Sequence, residues 1–116
     1  MITGFHIELT NICTLKCFGC TRTQFINMFP QQWKNHSIDV SCLMNFLDCD
    51  LTNMRISLCG VYGDPIYHPD FHNIISQLKS RGAILSIVTN GSYKTKQWWE
   101  QTVGILAEQD TVTFSV

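Results

Sequence analysis

The sequence has few charged residues, and it has no run of like charges. Charged side chains make up 15% of the 116 residues, and the formal net charge is −1. Binding to nucleic acid or to an anionic membrane requires a basic patch, so this composition predicts neither partner. No apolar run approaches the roughly 20 residues that a membrane-spanning helix needs. The length and composition therefore predict one globular domain with a hydrophobic core.

The N-terminus also lacks the features of an export signal. Residues 1–6 contain neither a basic segment nor an apolar run. We therefore expect the chain in a reducing cytoplasm, its own or that of a host cell. In that compartment the six cysteines are expected to be metal ligands or small buried side chains rather than disulfides.

Half of these cysteines lie close together, at C-x3-C-x2-C spacing, directly after a predicted strand. They are Cys13, Cys17 and Cys20. Thiolates so spaced can surround one soft metal centre, either an iron–sulfur cluster or zinc. Structural zinc normally has four protein ligands. The candidates for a fourth ligand are His6, His36 and Cys42. Because none of them lies at a usual zinc-finger spacing, the pattern favours a cluster with three protein ligands and one open metal position.

The other cysteines are predicted to pack in the core, as free cysteine usually does. Cys42 and Cys49 lie seven residues apart in a helical pattern, and Cys59 lies within a predicted strand. Arg22, just after the third clustered cysteine, is compatible with two roles: it could neutralise a thiolate-rich centre, or it could be solvated.

The hydrophobic pattern predicts strands that alternate with helices. Strands are expected over residues 5–10, 54–59, 83–88 and 110–116, and helices over 40–47, 70–80 and 94–108. Residues 21–37 show no clean period and are predicted to form a loop with at most one helical turn. The third strand is largely apolar, which suits cover on both faces. Core contacts of the last helix are predicted at Trp98, Trp99, Val103 and Leu106. The alternation predicts an α/β fold with parallel strands and right-handed crossovers.

Unusual loops follow each of the first three predicted strands. The clustered cysteines follow the first, Gly-Val-Tyr-Gly-Asp-Pro at 60–65 follows the second, and Thr-Asn-Gly at 89–91 follows the third. The carboxyl ends of parallel strands share one edge, so these loops are expected to meet there. Each glycine loop alone would be an ordinary turn, but their common edge with the cysteines predicts a ligand site.

In this context the cysteine motif resembles the signature of the radical S-adenosylmethionine (radical SAM) enzyme superfamily. The resemblance extends from Phe5 to Val116 and implies parallel βα repeats that form the first half of a partial TIM-type barrel. It implies that the three clustered cysteines bind three irons of a [4Fe-4S] cluster, which leaves the fourth iron for the amine and carboxylate of S-adenosylmethionine. Segment 62–65 would bind the cosubstrate's ammonium through backbone carbonyls, and 89–91 would lie on its methionine or ribose side. The implied cosubstrate contacts are Tyr62, Gly63, Asp64, Pro65, Thr89, Asn90, Gly91, Ser115 and Gly19.

The resemblance also implies an activity, which is reductive cleavage of S-adenosylmethionine to a 5′-deoxyadenosyl radical that abstracts a hydrogen from a substrate. An electron donor such as flavodoxin or ferredoxin would be the partner. The nearest family analogies for the unknown substrate are peptides and cofactor precursors. No side chain is predicted to act as a general acid or base.

The chain departs from the family pattern at three places. Gly19 stands where an aromatic residue usually precedes the third cysteine, and Phe18 lies one position earlier. Asp64 replaces a glutamate, which should matter little if the backbone binds the cosubstrate. The family's barrel has more βα units than this sequence, so we expect a core domain truncated in its fourth strand. The alternative is a non-catalytic half-barrel module that binds an iron–sulfur cluster or zinc.

Overall fold

Strands and helices alternate along the chain in a computed structural model that describes residues 1–115. The strands are β1 (Gly4–Ile7), β2 (Arg55–Leu58), β3 (Ile84–Thr89) and β4 (Thr111–Phe114), and the α-helices are α1 (Thr21–Met28), α2 (Val40–Phe46), α3 (Phe71–Ser80) and α4 (Lys96–Ile105). A 3-10 turn lies at Pro65–Tyr67. None of the helices in residues 1–115 combines the length and the apolar character that crossing a membrane requires.

The four strands form one parallel sheet in the order β1-β2-β3-β4. In the register, His6 pairs with Ser57 and Ser57 pairs with Ser86. Each strand is therefore joined to its sequence neighbour through a helical connection, as parallel strands require. The predicted α/β class with parallel βα repeats is confirmed.

One face of the sheet is buried and the other is partly open. Along β3, Leu85 and Ile87 are 1% exposed, whereas Ile84, Ser86 and Val88 are only half-buried. The prediction that this strand is covered on both faces is therefore wrong. In this sheet the helices supply apolar side chains to the core on one face only, so the side-chain alternation of a strand decides which residues are buried.

The core combines the buried face of the sheet with one face each of α2 and α3. Its helical members are Leu43, Met44, Phe71, Ile74, Ile75 and Leu78. Burying each such side chain contributes about 1.5–3 kcal/mol. The predicted contacts Trp98 and Trp99 of α4, and Leu106 directly after it, pack against this core. The prediction for Val103 is wrong, because its side chain is 67% exposed.

Helix α1 was not expected from the sequence, which predicted a loop there. Its sequence has no apolar face, and the residue that α1 buries is Arg22. The Arg22 Nε donates to the carbonyl of Asn11 at 2.9 Å, and its guanidinium lies 5.1 Å from the centre of the Trp33 ring. Phe25 packs against both Phe29 and Trp33. The helix is therefore held by a buried cation and aromatic contacts, which apolar periodicity does not detect.

The prediction that Cys42 and Cys49 pack in the core is wrong, because both are exposed. Cys42 lies in the first turn of α2, on the side away from Leu43 and Met44, and Cys49 lies beyond the end of that helix. Their seven-residue spacing would place them on one helical face only if the helix continued through both. Cys59 is half-buried, just after β2.

A buried ion pair fixes the beginning of β4. The Asp110 side chain is shielded from solvent, and its carboxylate lies 2.8 Å from Lys79 Nζ of α3. The same carboxylate accepts the N–H groups of Leu85 and Ala107 at 2.8 and 2.7 Å. Burial alone would raise the pKa of Asp110, but these N–H groups and the ammonium outweigh it and hold the pKa below its ordinary value.

Candidate functional site

The three predicted metal ligands lie in the irregular segment between β1 and α1. Cys13 and Cys20 are half-buried, Cys17 is exposed, and all three are free thiols. The Cys20 N–H donates to the Cys17 carbonyl at 3.1 Å, and the Cys20 carbonyl accepts the Gln24 N–H at 3.0 Å. The turn from Cys17 to Cys20 therefore fixes these two predicted ligands relative to each other, and Cys20 is joined to the first turn of α1 as its N-cap.

Gly19, one of the predicted cosubstrate contacts, lies in open space. A Cβ built on this residue would have no atom within 4 Å, and the neighbouring Phe18 is 97% exposed. Packing therefore does not require glycine at position 19.

The loop after β2 is docked directly on the cysteine segment. A Cβ on Gly63 would overlap the carbonyl oxygen of Thr10 and lie 2.7 Å from the Cα of Asn11. The Asp64 N–H donates to the Ile12 carbonyl at 2.9 Å. Only a residue without a side chain allows this approach, so Gly63 has a structural role at this position.

The Asp64 carboxylate joins the loop after β2 to the loop after β3. Asp64 is 5% exposed. Its Oδ1 and Oδ2 accept the Thr89 hydroxyl at 2.7 and 2.9 Å, its Oδ2 also accepts the Asn90 N–H at 2.7 Å, and its Oδ1 accepts the Ile66 N–H at 3.2 Å. Its oxygens are therefore committed to protein donors.

Asn90 carries the connection onward to the cysteines. Its Nδ2 donates to the Sγ of Cys13 at 3.3 Å. Its Oδ1 accepts from the Ser92 N–H at 2.9 Å and from the Ser92 hydroxyl at 2.5 Å. Gly91 has a φ of 72°, and its N–H donates to the Thr89 hydroxyl oxygen at 3.0 Å. This tight turn aims the carboxamide of Asn90 at the first cysteine.

A hydroxyl network forms a second link between the cysteine segment and the loop after β3. The Thr14 hydroxyl donates to the Tyr67 hydroxyl at 3.0 Å and lies 2.8 Å from the Ser92 hydroxyl. Tyr67 in turn donates to the backbone carbonyl of Ser92. Tyr67 and Ser92 lie outside the predicted motifs, and Thr14 is an unassigned position within the cysteine motif. Only the tertiary structure brings these three hydroxyls together.

The other predicted contacts differ in where they lie. The Ser115 N–H donates to the Thr89 carbonyl at 2.8 Å, which places Ser115 at the same edge as the three loops. Pro65 is buried at the start of the 3-10 turn. The Tyr62 ring instead packs against Phe25 and Trp33, at 6.2 Å from each, beside a cavity of about 610 Å³.

The three cysteine thiols are chemically suited to an iron–sulfur cluster, although they are not arranged as a preformed metal cage. Within residues 1–115, no three His, Cys, Asp or Glu side chains are grouped as ligands of one metal ion. In a [4Fe-4S] cluster each cysteine binds a different iron, so the thiols need not converge on one point. Three free thiols in an irregular segment, one of them already accepting an N–H donor, fit this requirement.

The fold and the candidate site together define a class of protein. It is a parallel α/β unit in which three loops and three free thiols lie at the carboxyl edge of the sheet.

The chain was compared with known proteins and protein families. No protein-family model matches the chain. The chain is 29% identical over 117 residues to the tungsten-containing aldehyde ferredoxin oxidoreductase cofactor-modifying protein of Pyrococcus furiosus, a match that covers 96% of this chain and 30% of the relative.

A solved structure has the same fold. The selenomethionine form of BtrN in an open conformation superposes with a TM-score of 0.65 at 16% sequence identity. The match covers 98% of this chain and 56% of BtrN. At this identity the likeness concerns the fold alone. The chain spans about a third of its curated relative and about half of the solved structure.

Proposed function

We propose that this chain is the N-terminal part of a radical SAM core domain, in which Cys13, Cys17 and Cys20 hold a [4Fe-4S] cluster. When bound, such a cluster supplies one electron for cleavage of S-adenosylmethionine to the 5′-deoxyadenosyl radical, which abstracts a hydrogen from the substrate. The residues of this chain bind the cluster, orient the cosubstrate and exclude water. No side chain is assigned an acid or base role.

The observation that carries the proposal is the contact of three separate loops at one edge of the sheet. Asn90 donates to Cys13, and Asp64 holds both Thr89 and the backbone of Asn90. The Asp64 N–H donates to Ile12, which immediately precedes Cys13. Hydrogen bonds that bind the metal-ligand segment to both glycine loops support a shared function for these loops.

The same contacts support backbone binding of the cosubstrate. The Asp64 carboxylate already accepts three donor groups, so it has little capacity for a ligand's ammonium. Segments 62–65 and 89–91 would then bind the ammonium through their backbone carbonyls, with Ser115 at the same edge of the sheet. An aspartate in place of glutamate is compatible with this role, because it is the carboxylate's contacts with Thr89 and Asn90 that matter.

The relative's name bears on the substrate. The Pyrococcus furiosus protein is described as cofactor-modifying, which favours a cofactor precursor over a peptide as the substrate class of the whole protein. An electron donor such as flavodoxin or ferredoxin completes the proposed reaction.

The test is anaerobic reconstitution with iron and sulfide, followed by dithionite reduction and electron paramagnetic resonance with and without S-adenosylmethionine. We expect a reduced [4Fe-4S] signal that shifts when the cosubstrate is added. Cys17→Ala should abolish the brown colour and the signal. Cys42→Ala and Cys49→Ala are matched controls, because both residues are exposed and distant in sequence from the motif; both variants should retain the signal.

The other outcomes separate the alternatives. A cluster signal that ignores S-adenosylmethionine would favour the non-catalytic iron–sulfur module. Zinc binding without iron would contradict the proposal, and loss of colour in Cys42→Ala would contradict the ligand assignment.

A further inference from the structure

We infer that Asn90 is a positioning residue that acts through Cys13: its side-chain amide donates to the cysteine sulfur and raises the reduction potential of the cluster that Cys13 helps to bind. This inference rests on the proposed function. It assigns to Asn90 a role toward the metal ligand rather than toward the cosubstrate.

The hydrogen bonds of Asn90 decide which end of its carboxamide faces the sulfur. Nitrogen and oxygen of an amide are assigned from the bonding network, not from shape. The Ser92 N–H can only donate, and it lies 2.9 Å from the atom assigned as Oδ1. A flipped amide would set two donors against each other there. Nδ2 must therefore face the Sγ of Cys13, at 3.3 Å.

The carboxamide is also held in place from both sides. The Asn90 backbone N–H is bound by Asp64 at 2.7 Å, and its Oδ1 accepts the Ser92 hydroxyl as well as the Ser92 N–H. Asn90 and Cys13 are 77 positions apart in sequence. A preorganised donor of this kind loses little entropy when the thiol becomes a metal-bound thiolate.

A hydrogen bond to cluster sulfur stabilises the more negative, reduced state. Such bonds are among the factors that set the potential of iron–sulfur centres. The bond is charge-assisted once the sulfur is a thiolate, and the net effect of one such bond corresponds to about a tenfold change in equilibrium. Removing the donor should therefore make the cluster harder to reduce.

The experiment compares variants of the reconstituted chain by redox titration with electron paramagnetic resonance detection. Asn90→Ala should retain its iron content. Its equilibrium constant for cluster reduction should fall about tenfold, which lowers the reduction potential by about 59 mV for a one-electron couple. Asn90→Asp keeps the acceptor for Ser92 but replaces the donor by a carboxylate oxygen, so its potential should fall further. If Asn90→Ala does not assemble a cluster, the isosteric Asn90→Asp variant decides.

Two controls separate the sulfur contact from a loosened loop. Ser92→Ala removes one bond to the Asn90 carboxamide oxygen and leaves the amide donor, so its potential should fall much less than that of Asn90→Ala. Asn73→Ala, on the exposed side of α3, should match the unmodified chain. The inference would be overturned if the equilibrium constant for cluster reduction in Asn90→Ala lay within about twofold of that of the unmodified chain. Equal potential shifts in Asn90→Ala and Ser92→Ala would also overturn it.

A second readout needs no cluster. In the metal-free, isotope-labelled chain, the side-chain amide protons of Asn90 should shift when Cys13 is replaced by alanine and stay unchanged in Cys17→Ala. If the unmodified chain binds no cluster, the proposed function fails while this measurement still tests the contact. Equal amide shifts in the two cysteine variants would contradict the contact itself.

Discussion

Replacing Asp64 with alanine should destabilise the whole edge of the sheet at which the loops meet. Alanine removes a carboxylate that is 5% exposed and that accepts hydrogen bonds from Thr89, Asn90 and Ile66. The Thr89 hydroxyl would then be buried without this acceptor, because Thr89 is 2% exposed. Water can reach Asn90 more easily, because that residue is only half-buried.

The expected loss of stability follows from how deeply these hydrogen-bond donors are buried. Each buried donor left without a partner costs about 1–3 kcal/mol, and coupled donors add less than the sum of their separate costs. We expect the free energy of unfolding to fall by about 3–4 kcal/mol, a large part of the roughly 5–15 kcal/mol that stabilises a domain. Asp64→Asn retains an oxygen that can accept the Thr89 hydroxyl, but its amide NH₂ would face the Asn90 N–H, which is also a donor. This variant should lower the free energy of unfolding by about 1–2 kcal/mol.

The assay is equilibrium unfolding in urea, followed by tryptophan fluorescence. Asp70→Ala is the matched control, because Asp70 is an exposed aspartate whose side chain makes no capping hydrogen bond at the start of α3. That control should change the free energy of unfolding by less than about 0.5 kcal/mol. If Asp64→Ala unfolds at the same urea concentration as Asp70→Ala, the carboxylate does not hold the loops together and the reasoning is refuted.

Three further perturbations test other parts of the fold. Gly63→Ala should lower the free energy of unfolding by at least about 2 kcal/mol in urea, because its Cβ would overlap backbone atoms of the cysteine segment. Lys79→Met should cost about 2–4 kcal/mol in the same assay, since it leaves the shielded carboxylate of Asp110 without its cation. Burial lowers the pKa of His72 below its ordinary 6.5. Folding therefore favours the neutral ring. Its contribution to the free energy of unfolding is complete above pH 6.5 and is lost as the pH falls below that value. His72→Gln should therefore make the free energy of unfolding depend less steeply on pH in this range.

The first two of these perturbations have a control variant that makes the same change where the contact is absent. Gly19→Ala places a Cβ in open space and should leave stability within about 0.5 kcal/mol. Lys96→Met breaks an exposed pair with Glu100, 3.6 Å long, and should do the same. An unchanged pH slope in His72→Gln would assign the acid loss of stability to other groups.

Much of the fold could be predicted from local patterns. The alternation of apolar stretches predicted the four parallel strands, and the Phe71, Ile74, Ile75 and Leu78 spacing predicted α3, because both depend on residues near one another in sequence. Helix α1 was missed because the contacts that hold it join residues farther apart in sequence. Its buried residue Arg22 is bound to the Asn11 carbonyl and packs over the Trp33 ring. Cys42 and Cys49 were placed wrongly because their spacing carries no information about where α2 ends.

In the candidate site, too, some features follow from the local sequence and others only from the tertiary structure. The sequence by itself determined the candidate donor set, since the spacing of Cys13, Cys17 and Cys20 is a property of residues close together in the chain. Only the tertiary structure decided that Asp64 binds Thr89, 25 positions away, and that Asn90 faces Cys13, 77 positions away. Hydrogen bonds have short range and strict direction, so partners far apart in sequence are fixed only when the packed sheet brings the ends of its strands to one edge.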